Sequence, residues 1–136
     1  MKPSRIIGIL LVVDLILALL FMSVHKAHAA EVDYTVAWCK ANGGVWERKD
    51  TTLPDGTYAD CITKTHIVEV DYAHKNKHYE GIGQAVHYYF QNGARLKPLL
   101  LLIVDPNVKT DVRRFNSAKE DGEKMCPRIE VRMLRK

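Results

Sequence analysis

The chain has 136 residues, 47% of them hydrophobic and 26% charged, with a formal net charge of +4. That balance excludes a disordered tail and allows one domain with a modest core. Much of the basicity sits at the amino terminus, where Lys2, Arg5 and Lys26 face only Asp14; the remainder holds 17 basic and 15 acidic residues, a net charge of about +2 with neutral His, too small to argue for a polyanion partner by itself.

Residues 1–29 read as a secretory leader. Lys2 and Arg5 give a positive start, IIGILLVVDLILALLFM is the apolar run, and Ala27-His28-Ala29 fits a cleavage site. The alternative is an uncleaved membrane anchor, since only Asp14 interrupts a run almost long enough to span a bilayer. Residues 30–136 read as a single domain exported to the periplasm or beyond.

A short helix is expected over DYTVAWCKAN, stopped by Gly43-Gly44. Gly44 to Asp50 (GVWERKD) and Tyr58 to Thr63 flank Leu53-Pro54-Asp55-Gly56 and read as the first hairpin of a meander. A second hairpin pairs YADCIT with HIVEVDY, two alternating runs separated only by Lys64 and Thr65. A turn centred there pairs Thr63 with His66 and sets Asp60 opposite Glu69. Asp71 shares Glu69's face, because strand side chains alternate. Facing carboxylates repel by up to about 1 kcal/mol, and a hard cation such as Mg²⁺ turns that repulsion into ligation.

His74 and His78 stand four apart beside Glu69 and Asp71, so a His/carboxylate metal site is one reading of HKNKH and a solvated polar loop the other. A helix is expected from Lys77 to Asn92, with Ile82, Val86, Tyr89 and Phe90 as its apolar stripe, Asn92-Gly93 as its stop, and Glu80, Gln84, Tyr88 and Gln91 as a polar stripe. KPLLLLIV, Lys97 to Val104, suits a strand buried on both faces, and a right-handed crossover places it parallel to strand 66–72. A further helix begins near Val108 or Ser117 and ends at Met125 before Pro127. Arg128 to Leu134 alternates like a final edge strand. The fold class is α/β, with helices flanking a mixed sheet.

Cys39, Cys61 and Cys126 all lie after the leader, so export favours a disulfide. Cys39 to Cys61 is the expected pair, pinning the first helix behind the hairpin and leaving Cys126 odd. A catalytic Cys-His pair is the other use of these thiols, but no spacing selects one. Arg113-Arg114 and the tail Arg128, Arg132, Arg135 and Lys136 are basic clusters that fit either phosphates or a solubilising surface. His87, next to Tyr88, fits the site or the solvent equally.

A hairpin Asp60, a strand Glu69 and a helix bearing Gln84-x-x-x-Tyr88 resemble the PD-(D/E)XK nuclease superfamily, in particular its RecB-like branch. The run from LPDGTYADC through EVDYAHK to EGIGQAVHYY is similar to small exported bacterial members, over roughly Ala37 to Asp105. The resemblance implies a restriction-endonuclease-like sheet and a nuclease using Mg²⁺ or Mn²⁺ on DNA or RNA. It implies Asp60 and Glu69, with Asp71 beside them, as metal ligands, and Gln84 and Tyr88 as the helix motif. Where the motif has Lys, this chain has Asp71; either Lys75 supplies the ammonium from a shifted position or the site is inactive. The remaining alternatives are a nuclease-fold protein that binds nucleic acid or an envelope component without cutting, and a disulfide-stabilised structural protein. Asp55 of LPDG reads as a turn residue, not as the motif Asp.

Overall fold

A computed structural model describes residues 31–75 and 77–136. The chain divides into two compact units, residues 1–33 and 34–136. Of the first, only residues 31–33 are described, and these are helical. The leader or anchor expected over residues 1–29 lies outside the described residues. No helix among the described residues is long and apolar enough to cross a membrane.

In chain order, residues 31–41 are helical (α1), followed by one helical turn, Arg48–Thr51 (α2), and the strands Cys61–Ile62 (β1) and His66–Tyr72 (β2). A 3-10 turn, Ala73–Lys75, leads to the helix His78–Gln91 (α3). Lys97–Val104 (β3), Lys109–Met125 (α4) and Glu130–Arg135 (β4) complete the fold. The sheet order is β1-β2-β3-β4, with β1 antiparallel to β2 and the other pairs parallel. The mixed sheet flanked by helices and the parallel crossover expected from the sequence are therefore both present, and β4 is an edge strand, as expected.

The apolar run of β3 divides its side chains between two cores. Leu100, Leu102 and Val104 pack with Ile82, Ala85 and Ala118 of α3 and α4. Leu99, Leu101 and Ile103 pack on the other face with Val68, Val70, Tyr72, Cys39 and Cys61. Since Val68, Val70 and Tyr72 take that second face, alternation sends Ile67, Glu69 and Asp71 toward α3. Two carboxylates thus enter the side of the sheet that a helix covers.

Small residues govern how α3 lies on the sheet. A Cβ on Gly81 would stand 2.8 Å from Cδ1 of Leu100, which is fully buried. The buried face is Gly81, Ile82, Ala85, Tyr88 and Tyr89, so Tyr88 turns inward while Phe90, expected in the apolar stripe, is 67% exposed. Gly81→Ala should lower stability by about 1 kcal/mol. Overpacking costs roughly 1–3 kcal/mol, offset in part by about 1 kcal/mol of helix propensity. A urea melt checks this, and an unchanged midpoint would mean that Leu100 has room to move.

The segment GVWERKD departs from expectation. Only Val45 makes a bridge, to Ile62, and Arg48–Thr51 turns helical instead of pairing. After Val45 and Trp46 the charged run offers no alternating apolar residue to hold a strand on the sheet. Tyr58 is likewise limited to a bridge with Thr52. The Leu53 to Gly56 turn forms as expected, Gly56 N–H donating to Leu53 O at 2.9 Å.

Cys39 and Cys61 form the expected disulfide, their Cα atoms 6.0 Å apart. It joins α1 to β1 within the second core, where Trp38 and Trp46 also pack. Cys126 is a free, partly buried thiol. A disulfide fits a protein that matures outside the reducing cytoplasm.

Candidate functional site

The hairpin turn sets the register on which the site depends. Thr63 N–H donates to His66 O at 2.9 Å, and His66 N–H returns to Thr63 Oγ1 at 3.0 Å. Lys64 and Thr65 are left as the two-residue loop. The ladder runs Ile62 to Ile67 and Cys61 to Val68. Just before it, the Asp60 N–H also donates to Val68 O at 3.1 Å, and Asp60 Oδ2 accepts the Val70 N–H at 2.7 Å, which brings its carboxyl to the neighbouring Glu69. The Asp60 carboxylate is held against β2 by a charge-assisted bond.

Glu69 is only 6% exposed, with Leu100 its neighbour in register on β3. Burial, and then the charge of Asp60, push its carboxyl up to about 9. At neutral pH Glu69 therefore carries a proton and donates it in a hydrogen bond to Asp60, while the Tyr88 hydroxyl donates to Glu69. Burial foremost, with Glu69 next, raises the Tyr88 phenol too, which keeps it a donor. This is the behaviour of two carboxyl groups that cannot both ionise at close quarters.

These groups open on a cleft of about 460 Å³ lined by Asp60, Glu69, Gln84 and Tyr88 together with Gly56, Thr57, Tyr58 and His87. Four positions singled out by the sequence are thus brought together by β2, its hairpin partner and one face of α3. Two others are not. Asp71 is buried on Glu69's face, but it does not line the cleft, and its Oδ1 accepts its own chain's Tyr72 N–H at 2.7 Å. Lys75 is exposed in the 3-10 turn, its Nζ 4.7 Å from the centroid of the Tyr72 ring, a side chain that belongs to the opposite core.

The two histidines have different surroundings. His74 stacks near Tyr72, with ring centroids 4.8 Å apart, while His78 is buried beside Tyr79. Burial, then Arg114, lower the His78 imidazole below its usual range. Among the described residues no group of three or more His, Cys, Asp or Glu is placed to hold a metal ion.

His87 belongs to the cleft. Its Nε2 lies 2.7 Å from Asp55 Oδ2, and Asp55 Oδ1 accepts the Thr57 N–H and hydroxyl at 3.0 and 2.6 Å. The turn Asp thereby fixes the mouth of the cleft to α3. Tyr58, under the Arg48 guanidinium at 4.3 Å, is a further wall that the motif pattern does not include. Its spacing of two from Asp60 is the signal that marks it. Nothing local marks the Asp55–His87 contact, which spans 32 positions.

The donor chemistry of the cleft fits a hard divalent cation. Asp60, half-buried at the cleft, and the buried Glu69 are the residues that could hold such an ion, and ligation would replace the proton on the pair.

No protein-family model matches the chain, and neither a curated protein nor a solved structure is significantly similar to it.

Proposed function

We propose that the protein is a divalent-metal-dependent phosphodiesterase that works outside the cytoplasm, in the periplasm or secreted. The observation that carries this reading is the meeting of Asp60 and Glu69 in one cleft that Gln84 and Tyr88 also line. It is supported by the α/β fold class and by the order Asp60, Glu69, Gln84, Tyr88, on which the resemblance of the sequence to the nuclease superfamily rests.

On this reading Asp60 and Glu69 hold Mg²⁺ or Mn²⁺. The bound ion supplies Lewis acidity toward a phosphoryl oxygen and lowers the pKa of a water. Val70 N–H keeps Asp60 in place. Tyr88 orients the Glu69 carboxyl, and Gln84 presents an amide to the attacking water or the phosphate. The ammonium of the usual motif is missing, because Asp71 occupies its position and Lys75 lies over Tyr72. That arrangement favours a second reading, a relative that binds phosphodiesters or an envelope component without cutting them.

Melting the oxidised protein in EDTA, Mg²⁺ and Mn²⁺, alongside Asp60→Asn, tests both. The amide oxygen of Asn still accepts the Val70 N–H, so the fold should persist. Metal at a hundredfold excess over Kd should stabilise the wild type by about 2.7 kcal/mol and the variant not at all. Plasmid and RNA cleavage on the same samples then separates the readings. A shift with cleavage supports the phosphodiesterase; a shift without it leaves the binding relative. Cleavage that survives Asp60→Asn would sink the assignment of the site.

A further inference from the structure

The amino-terminal ends of the three parallel strands carry charge that the cleft does not use. His66 and Lys97 are partners in register on β2 and β3, and Glu130 opens β4. Glu130 meets His66 Nε2 at 3.3 Å, Lys97 Nζ at 3.6 Å and the Arg132 guanidinium. Burial would raise its carboxyl, yet Arg132 and His66 outweigh burial and hold it below the usual range. One carboxylate is thus surrounded by basic groups on strands about 5 Å apart.

Two grooves spread this positive charge. Arg95, Lys97 and Arg128 line one of about 500 Å³, and Lys64, His66 and Arg132 line another of about 290 Å³. Glu130 is the one acidic residue lining either. Arg128 is held in position by donating to the Tyr89 hydroxyl at 2.9 Å. Lys64 and Arg95 are exposed and have no side-chain partner among the described residues.

A third groove, of about 630 Å³ and mainly apolar, adjoins the larger basic groove, with which it shares Arg95 and Leu96. Leu53 and Pro54, which also line it, stand in sequence just before the Gly56 to Tyr58 segment that walls the cleft. On α3 the changeover takes one residue, with Tyr88 on the cleft and Tyr89 on the basic groove.

We infer that this run of grooves seats a single-stranded nucleic acid, with phosphates on the Arg95, Lys97 and Arg128 side and unpaired bases in the apolar groove. The strand's arrival at Asp60 and Glu69 rests on the phosphodiesterase reading; its binding does not. A single strand presents both a charged backbone and apolar base faces, the two chemistries that alternate along the grooves. A duplex shows mainly its phosphates and leaves the apolar groove unfilled. An anionic membrane is flat and meets the exposed cations but not the groove floors.

The test is anisotropy of a fluorescent 20-nucleotide single strand with the oxidised protein in EDTA, so that no cation occupies the cleft. Binding should weaken with salt on a log–log slope of roughly −2 to −3, as for about four phosphates neutralised on a single strand. Lys64→Glu with Arg95→Glu should weaken it at least tenfold with no change in Tm. Lys109→Glu with Lys119→Glu on α4, the same change in net charge, should leave it within about twofold. Absence of binding at low salt, equal loss in both double variants, or preference for duplex or phosphatidylglycerol vesicles would overturn the inference. Strand binding in EDTA without metal-dependent cleavage would support the docking face while removing the phosphodiesterase reading.

Discussion

Glu69→Gln should raise the stability of the metal-free protein by about 3 kcal/mol at pH 8 and leave it nearly unchanged at pH 4. The wild-type carboxyl is neutral when folded until the pH nears about 9, whereas in the unfolded chain it ionises near its ordinary value of 4.5. Between those values the unfolded state binds fewer protons, so this group's contribution, intact in acid, is lost progressively as the pH rises from about 4.5 toward 9. Gln reproduces the protonated carboxyl: its amide donates to Asp60 and its carbonyl accepts the Tyr88 hydroxyl. It does so without an ionisation that favours the unfolded chain. Asp60 and Glu69 titrate as a pair, so part of the linkage falls on Asp60 and the gain is smaller than Glu69 alone would give. Urea melts of both proteins from pH 4 to 9 check the result. A constant difference across that range would mean that Glu69 is already ionised in the folded state. On the proposed phosphodiesterase reading the same variant should also lose metal-dependent cleavage, so that stability and activity would move in opposite directions.

Removing the disulfide should have an effect of similar size and opposite sign. Cys39 and Cys61 are 22 residues apart, and closing a loop of that length stabilises by about 3 kcal/mol in the chain-entropy account. In a domain of this size that corresponds to a Tm lower by more than about 10 °C in Cys39→Ser/Cys61→Ser. The loss extends to the carboxylates, because Cys61 adjoins Asp60 and the bond holds β1 against the second core. In the double variant the pH dependence that Glu69 gives the wild type should become smaller without vanishing, as burial, the larger cause, remains while Asp60 is held less firmly beside it. A pH series of melts with and without reductant measures both effects. Retention of the wild-type pH slope in the reduced protein would show that the two-residue turn alone sets the register. Gly44 leaves room for this bond, since a Cβ there would stand 2.7 Å from each sulfur.

Elements whose determinants are local were legible. A turn of only Lys64 and Thr65 leaves little freedom in register, so counting from it brought Asp60 near Glu69, although the Asp60 N–H bonds to Val68 O and not in a regular pair with Glu69. KPLLLLIV has no polar face and therefore belongs at the centre of a sheet. Asn92-Gly93 ends α3 because Gly93 takes a positive φ of 68°. The Cys39–Cys61 pairing followed from the face on which each residue must lie. What escaped was tertiary. Phe90 has the periodicity of a core residue, yet Gly81 and Ala85 draw another face of the helix onto β3. GVWERKD follows strand-like alternation only as far as Trp46. Asp55 reads correctly as a turn residue, but its second oxygen reaches His87 across the fold, a contact no local pattern encodes. Lys75 sits close to the carboxylates in sequence, but its ammonium lies over the Tyr72 ring.

The borders of the sheet bear on self-association. On one side, β1 is two residues long, and Val45 and Ile62 exchange backbone hydrogen bonds at 2.9 Å in each direction. The outward amide and carbonyl of Ile62 are thereby already engaged. On the other side, β4 carries Glu130, Arg132 and Arg135 among its six residues, so a second β4 laid parallel and in register would bring like charges together. Short, covered or charged borders are how folded proteins avoid serving as templates for fibrils. The apolar β3, the segment most prone to such growth if exposed, is enclosed between β2 and β4. Concentrated native protein should therefore resist strand-by-strand polymerisation, and aggregation should track unfolding.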